Sequence, residues 1–340
     1  MECYSCFNIA AVNFVIYNRL PASNECLCMC CERDVPLTTL TDNAEENLER
    51  FFGMRHLAMI RGLSADAKEQ DFPCAKCDFY VKKDWQFSAY ISYVNLSAYP
   101  SPCQCRCFYC GVYKNPVNSF ENSRTPEVAA MYENAFNTLK FAKKIGAVTK
   151  YTHWQVSCGE ITVHPYKKEL FDLVRGEPAT FFTNAFIFDA GIAKELHDNP
   201  AAHINLSIDS GTPETWHKVK GVDNFYHVLD NLAAYRKASQ RAGQITLKYI
   251  VCPEINDSEE DFLAFVDIVK FLDVQSVTIS KDTGEGRFSE KTLESAARLL
   301  AICKFNGIAQ TALGDTYIAG ERKYCYSLAS KILECMVQNY

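Results

Sequence analysis

From residue 94 onward the chain alternates short apolar runs with longer stretches of helical periodicity. Runs of β-branched and apolar residues bounded by turn residues read as strands, and apolar positions recurring at three and four read as helices. Strands are expected at 94–97, 151–157, 180–186, 203–209, 245–251 and 276–280. Helices are expected over 125–145, 166–174, 190–197, 213–238 with a break near Gly221, 259–272 and 289–305. Pro126 and Glu127 suit a first helical turn, and Gly146 suits a stop. Beyond residue 305 the pattern is ambiguous. Alternation of this kind predicts an α/β fold with a parallel sheet, open and doubly wound or closed into a partial barrel. In either case ligands gather at the C-terminal ends of the strands.

The first ninety residues carry a different pattern. An alternating apolar stretch spans 11–20, and period-two alternation over 25–31 places Cys26, Cys28 and Cys30 on one strand face. Two helical pieces follow, 43–52 and 55–63, and then Cys74-x2-Cys77. A unit of about 80 residues struggles to build a core alone, and cysteines converging from both ends suggest that a bound metal substitutes for one.

Composition narrows the setting. At 340 residues and 48% hydrophobic, the chain has material for one large domain and a small one. No apolar run reaches about 18 residues, so no membrane span is expected. The opening Met-Glu-Cys-Tyr-Ser-Cys lacks the basic and apolar regions of a signal peptide, which points to a cytoplasmic protein. In a reducing compartment the 17 cysteines read as a metal signal rather than as disulfides. A net charge of -6 without dense Lys/Arg runs argues against nucleic acid as a partner.

The strand-like run at 94–97 leads into four cysteines within eight residues, of which Cys103, Cys107 and Cys110 have C-x3-C-x2-C spacing. Three thiolates on one loop can hold three irons of a cubane cluster and leave the fourth iron open. Zinc is the competing ligand, since C-x2-C pairs also bind it. The loop, with Tyr109 before its last cysteine, resembles the signature of the radical S-adenosylmethionine (SAM) enzymes. That resemblance implies a partial (β/α)6 barrel over 89–288, a 4Fe-4S cluster on Cys103, Cys107 and Cys110, and SAM on the open iron. Cys105 breaks the spacing and reads as a bystander.

The order of features in 1–88 is similar to a SPASM module, which binds auxiliary 4Fe-4S clusters beside such barrels. The resemblance implies Cys6, Cys30, Cys74 and Cys77 as ligands, with Cys3, Cys28 and Cys31 as rivals and zinc as the alternative metal. Two features depart from the usual pattern: the module precedes the barrel, and its cysteines suffice for one cluster. Residues 289–340 form a C-terminal helical extension.

Cys158-Gly159-Glu160 after the second strand resembles the family's Gly-Gly-Glu motif, with cysteine for the first glycine. Glycine permits close backbone approach, and the carboxylate of Glu160 can accept bonds from an ammonium. On the fourth strand Asn205, Ser207 and Asp209 share a face, and Ser207 and Asp209 are candidates for the SAM ribose; Asp209 equally suits a turn cap. Asn184 on the third strand and Tyr109 are further candidates. On the fifth strand Lys248, facing the SAM carboxylate, shares a face with Cys252, a candidate hydrogen-atom donor or a buried packing residue.

What the resemblance implies for the reaction is reductive cleavage of SAM to a 5'-deoxyadenosyl radical, which abstracts hydrogen from an unactivated carbon of a peptide or carbohydrate. Epimerisation with a cysteine donor, dehydrogenation and cross-linking through the auxiliary cluster all remain open. The electron is expected from a flavodoxin-like or ferredoxin-like reductant. A zinc or iron-sulfur binding protein without catalysis is the other class.

Overall fold

The computed structural model describes residues 2–17, 26–28, 38–72, 74–97, 101–110, 114, 118–157, 159–282, 289–314 and 316–338. The chain divides into two compact units, residues 1–102 with 116–180, and residues 103–115 with 181–340.

In the first unit β1 (Glu2–Ser5), followed by the single turn α1 (Phe7–Ala10), pairs antiparallel with β5 (Val81–Asp84). The alternating stretch of the N-terminal region forms β2 (Asn13–Tyr17), which runs parallel to β6 (Ile91–Ser97), the strand preceding the cysteine loop. β6 in turn runs parallel to β7 (Val148–Val156), while β3 (Cys26–Cys28) and β4 (Thr38–Thr39) continue antiparallel from β2. Phe14 and Ile16 register with Val94 and Leu96. With Trp154 and Val156 they form the buried face that drives this pairing.

The two helices expected over 43–63 are one, α2 (Ala44–Leu63), capped by the Asn43 side chain on the Glu46 N–H. Gly53, where a break was expected, has nothing within 4 Å of the space a side chain would fill. An interior glycine costs about 1 kcal/mol; burial of Leu48, Phe51 and Ala58 on the flanking turns outweighs it. α3 (Pro126–Lys144) starts on a Thr125 cap with Pro126 in its first turn and ends before Gly146 at φ 77°, as the sequence predicts. α4 (Lys167–Val174) follows.

In the second unit β9 (Ala202–Ser207), β10 (Ile245–Val251), β11 (Ser276–Lys281) and β12 (Gln310–Leu313) pair in parallel, with β8 (Ala179–Thr183) beside β9. The helices between them are α5 (Ala190–Asp198), α6 (Pro213–Lys220), α7 (Phe225–Ala238), α8 (Glu259–Phe271) and α9 (Glu290–Phe305). The single helix expected over 213–238 is two, because Gly221 takes the left-handed conformation at φ 65° and closes α6. The ambiguous tail resolves into β12 and α10 (Ala319–Gln338). α10 is tied to the end of β11 by the Lys281–Glu321 ion pair.

Strand alternation sets the polarity of this unit. Leu206, Leu247, Tyr249, Val277 and Ile279 are buried, while Asn205, Ser207, Thr246, Lys248 and Thr278 occupy the other, half-buried face. Register aligns Ser207, Lys248 and Thr278 in one row and Asn205, Thr246 and Ser276 in the next. β2 and β12 are parallel strands beyond the six predicted; the first is the alternating apolar stretch read as part of the N-terminal region, the second lies in four residues of low apolar content.

Candidate functional site: a cysteine loop on a buried ion pair

Cys103, Cys107 and Cys110 are half-buried. Cys105 lies beneath them, buried, its thiol bonded to both Cys103 and Cys107. The loop is fastened to the end of α6 through its backbone. The Arg106 N–H donates to the Lys220 carbonyl (2.8 Å) and the Phe108 N–H to the Val219 carbonyl (3.3 Å). A side chain on Gly221 would meet the Arg106 carbonyl oxygen at 2.9 Å, so only glycine permits this approach.

Beneath the loop sits an ion pair. Lys220 and Asp209 have side chains 1% and 0% exposed, and Lys220 Nζ lies 2.5 Å from Asp209 Oδ2. Tyr109 Oη donates to the same oxygen at 2.5 Å, and Lys220 Nζ also donates to Tyr109 Oη at 2.9 Å. Asp209 Oδ1 accepts from the Ile250 N–H (2.7 Å), and its carbonyl accepts from Asn256 Nδ2 (2.9 Å). Asp209 holds this position at φ 55°, a left-handed conformation that aspartate tolerates better than most residues. The carboxylate assigned to a ribose contact therefore has both oxygens engaged by protein donors.

Charge follows geometry here. Burial opposes the Lys220 ammonium, but Asp209 and then Cys107 outweigh it and raise its pKa. Burial first, then Asp209 and Cys107, hold Tyr109 protonated. The Cys107 thiol is lowered to about 6, chiefly by the hydrogen bond from Cys105, against burial and with help from Lys220.

Asn184, past the end of β8, donates from Nδ2 to Cys103 Sγ at 3.5 Å. Its Oδ1 accepts from the Phe186 N–H (2.9 Å) and from Gln104 Nε2 (3.0 Å). Ser207 and Lys248 lie side by side in register on the half-buried polar face. In that face Asn205 Oδ1 is buried with no hydrogen-bond partner among the described residues. Cys252 follows β10, 4% exposed, with its N–H on Asn256 Oδ1 (2.7 Å) and its thiol on the Ile250 carbonyl (3.6 Å).

In the first unit Gly159 lies at φ 54°, and a side chain there would meet the Ser101 carbonyl oxygen at 2.4 Å. The close approach it permits is to the backbone leading into the cysteine loop. The Glu160 N–H donates to the Pro102 carbonyl (3.1 Å), and its buried carboxylate accepts from the Thr162 N–H (3.1 Å). Cys158 lies outside the described residues.

Of the N-terminal cysteines, Cys3, Cys6 and Cys74 are buried and Cys77 is half-buried on the turn that follows. Burial first, and then the neighbouring thiols Cys74, Cys3 and Cys6, push the Tyr80 hydroxyl up to about 12. That hydroxyl is buried without a hydrogen-bond partner among the described residues. Cys30 and Cys31 lie outside the described residues, as does the side chain of Cys28.

The donor chemistry of the loop suits an iron-sulfur cluster. Three thiols stand at signature spacing, one is already acidic, an amide is aimed at Cys103, and a buried cation lies below. Among the described residues no three Cys, His, Asp or Glu side chains stand already gathered as a metal site, so the fit rests on that chemistry. Lys220, Gly221, Gln104 and Asn256 were not foreseen from the sequence. Gly221 carried a signal as a helix stop, but a lysine in a last helical turn ordinarily reads as solvated.

The description "Radical SAM superfamily" matches residues 102–266. Among characterised proteins, the chain is 26% identical over 213 residues to a GTP 3',8-cyclase of Microcystis aeruginosa, covering 59% of this chain and 60% of that one. A GTP 3',8-cyclase of Acaryochloris marina is 27% identical over 179 residues, covering 49% and 50%. The match thus spans between half and three-fifths of those relatives. Among solved structures, Streptococcus suis SuiB bound to precursor peptide SuiA superposes with TM-score 0.51 at 12% identity, over 97% of this chain and 75% of that one. SuiB alone gives TM-score 0.50 at 12% identity, over 82% and 57%. These likenesses establish the α/β fold with parallel strands, and no described helix is long and apolar enough to cross a membrane. With the cysteine loop, the match over residues 102–266 assigns that stretch of the chain to a radical SAM domain.

Proposed function

We propose that this radical SAM enzyme abstracts hydrogen from an unactivated C–H of a peptide substrate, with a carbohydrate as the other substrate class. The observation carrying the radical reading is the loop of Cys103, Cys107 and Cys110, seated on the Lys220–Asp209 pair. A cluster bound there supplies the electron that cleaves SAM to the hydrogen-abstracting radical. Cys103, Cys107 and Cys110 would hold it. Asn184 donates a hydrogen bond to the Cys103 sulfur. Ser207, Lys248 and Tyr109, with Gly159 and Glu160, are the proposed SAM contacts; Asp209 acts beneath Tyr109 rather than on the ribose. Peptide is favoured because SuiB, solved with its precursor peptide, aligns over nearly the whole chain, N-terminal region included.

The same reading takes residues 1–88 as an auxiliary-cluster domain using Cys6, Cys30, Cys74 and Cys77, 89–288 as the barrel and 289–340 as the extension. The buried thiols Cys6 and Cys74 near Tyr80 support it. Epimerisation is the proposed outcome, with Cys252 donating the returning hydrogen; dehydrogenation or cross-linking uses the auxiliary cluster as electron acceptor. A ferredoxin-like or flavodoxin-like protein is the proposed reductant, in the cytoplasm. A nucleotide substrate is the second reading, favoured by the two GTP 3',8-cyclase relatives.

Anaerobically reconstituted protein, reduced in the presence of SAM, is expected to carry about eight irons and to release 5'-deoxyadenosine. Zinc without SAM cleavage would end this reading. Addition of GTP separates the substrates: a cyclised nucleotide product displaces the peptide proposal. For the outcome, Cys252→Ala assayed in deuterated water is expected to lose product and deuterium incorporation, and unchanged incorporation removes Cys252 as donor.

A further inference from the structure

Lys220, buried in the last turn of α6, carries its ammonium to Tyr109 of the cysteine loop. Nothing on the surface of the helix requires it to be there, since its neighbour Lys218 is exposed. A buried ion pair is poor evidence of a gain in stability, because removing two charges from water costs several kcal/mol per ion and a well-packed apolar pair serves equally well. The location of this pair is therefore the informative feature.

Three independent observations connect it to the loop. The backbone of Val219 and Lys220 accepts hydrogen bonds from Phe108 and Arg106, between the first and last of the spaced cysteines. Gly221, the next residue, lets the helix end come within reach of Arg106. The Lys220 ammonium bonds both Tyr109, which is flanked by Phe108 and Cys110, and Asp209, which Ile250 and Asn256 fix to β10 and the turn after it. Loop, helix end and two strand ends thus share one buried charge.

We propose that Lys220 is a positioning residue for the cluster. Through Tyr109 and Asp209 it holds the Cys107–Cys110 half of the loop, and its fixed positive charge raises the reduction potential of the cluster bound there. The inference rests on the reading that Cys103, Cys107 and Cys110 carry an iron-sulfur cluster. Cluster potentials respond to nearby charge, hydrogen bonds to the sulfurs and solvent exposure. A cation held dry beneath the thiolates favours the reduced cluster, which carries one more negative charge. Asp209, paired with Lys220, offsets part of that effect, and the double variant below measures how much.

The test compares reconstituted wild type with Lys220→Met, Lys220→Arg and the double variant Lys220→Met/Asp209→Asn. Iron and sulfide content and the midpoint potential followed by electron paramagnetic resonance are the readouts, neither of which depends on turnover. Lys220→Met is expected to lose at least tenfold in the ratio of reduced to oxidised cluster at a fixed potential, about 59 mV for a one-electron couple. Lys220→Arg should restore most of it, and the double variant should fall between wild type and Lys220→Met. A folded Lys220→Met protein with wild-type iron and wild-type potential overturns the inference. Where Lys220→Met does not fold, the double variant, which leaves no uncompensated buried charge, carries the test, and a wild-type potential there overturns it. Wild-type protein that takes up no cluster sinks the underlying reading instead.

Discussion

In the loop of the second unit the Cys107 thiol is drawn down to about 6, mainly by the Cys105 hydrogen bond; in the first unit burial pushes the Cys3 thiol up. Both regions are dense in cysteine, and both bury thiols near a tyrosine hydroxyl. What separates them is how deeply the neighbouring charge is buried. Tyr109 shares its hydroxyl with Asp209 and Lys220, whereas the Tyr80 hydroxyl has no hydrogen-bond partner among the described residues and its ring lies against Tyr4, Phe72 and the exposed Lys68. Thiol density alone does not prepare a ligand site; thiolates need a counter-charge, or a metal that supplies one. The loop has its counter-charge buried beneath it, whereas the cation at the N-terminal cysteines, Lys68 on the Cys77 carbonyl (2.9 Å), is exposed.

The sharpest way to break this comparison is to delete one cysteine from each region. Cys107→Ala is expected to abolish 5'-deoxyadenosine formation, while Cys74→Ala keeps it and loses about half the iron, if the second region holds a cubane of its own. Equal loss of SAM cleavage in both variants would erase the distinction. Next in size is Asp209→Ala, which strands the Lys220 charge in the interior. Urea unfolding should show a loss of about 3–5 kcal/mol, and a change under 1 kcal/mol would mean that water reaches the lysine.

The first unit has its own titration. His164 is buried, with Nδ1 accepting the Tyr166 N–H (3.3 Å) and Nε2 facing Tyr132 Oη (2.9 Å), and burial lowers its pKa to about 4. The unfolded chain binds the proton near the ordinary value of about 6.5. Stability from this group is therefore full above pH 6.5 and declines as pH falls toward 4, by about 3 kcal/mol in all. His164→Gln should flatten that part of the unfolding-versus-pH curve; an unchanged slope would place its cause elsewhere. The smallest effects come from two glycines of the second unit. Gly221→Ala should cost about 1–3 kcal/mol through its positive φ and the approach to Arg106. Gly243→Ala, with open space around the added methyl, should gain about 0.4–1 kcal/mol. Thermal melts of the two variants moving the same way would contradict the geometry.

Much of this arrangement was legible beforehand. Strand alternation located the polar row of Ser207 and Lys248, because a period of two places every second side chain on one face whatever surrounds it. Helix signals at Thr125-Pro126 and Gly146 held for the same local reason. The join at Gly53 was missed because the burial of Leu48, Phe51 and Ala58 is supplied by other elements. β2 was read as part of a separate module, since its partner β6 lies far along the chain.

By itself the sequence determined the spacing of Cys103, Cys107 and Cys110 and the alternation that makes an α/β fold, since both are properties of neighbouring residues. Only the tertiary structure decided that Asp209 is the counter-ion of a buried lysine and that Gly159 yields to Ser101. Whether a charged side chain is solvated or buried depends on what distant segments cover it, and the bond from Lys220 to Tyr109 joins residues too far apart in the chain for any local pattern to announce.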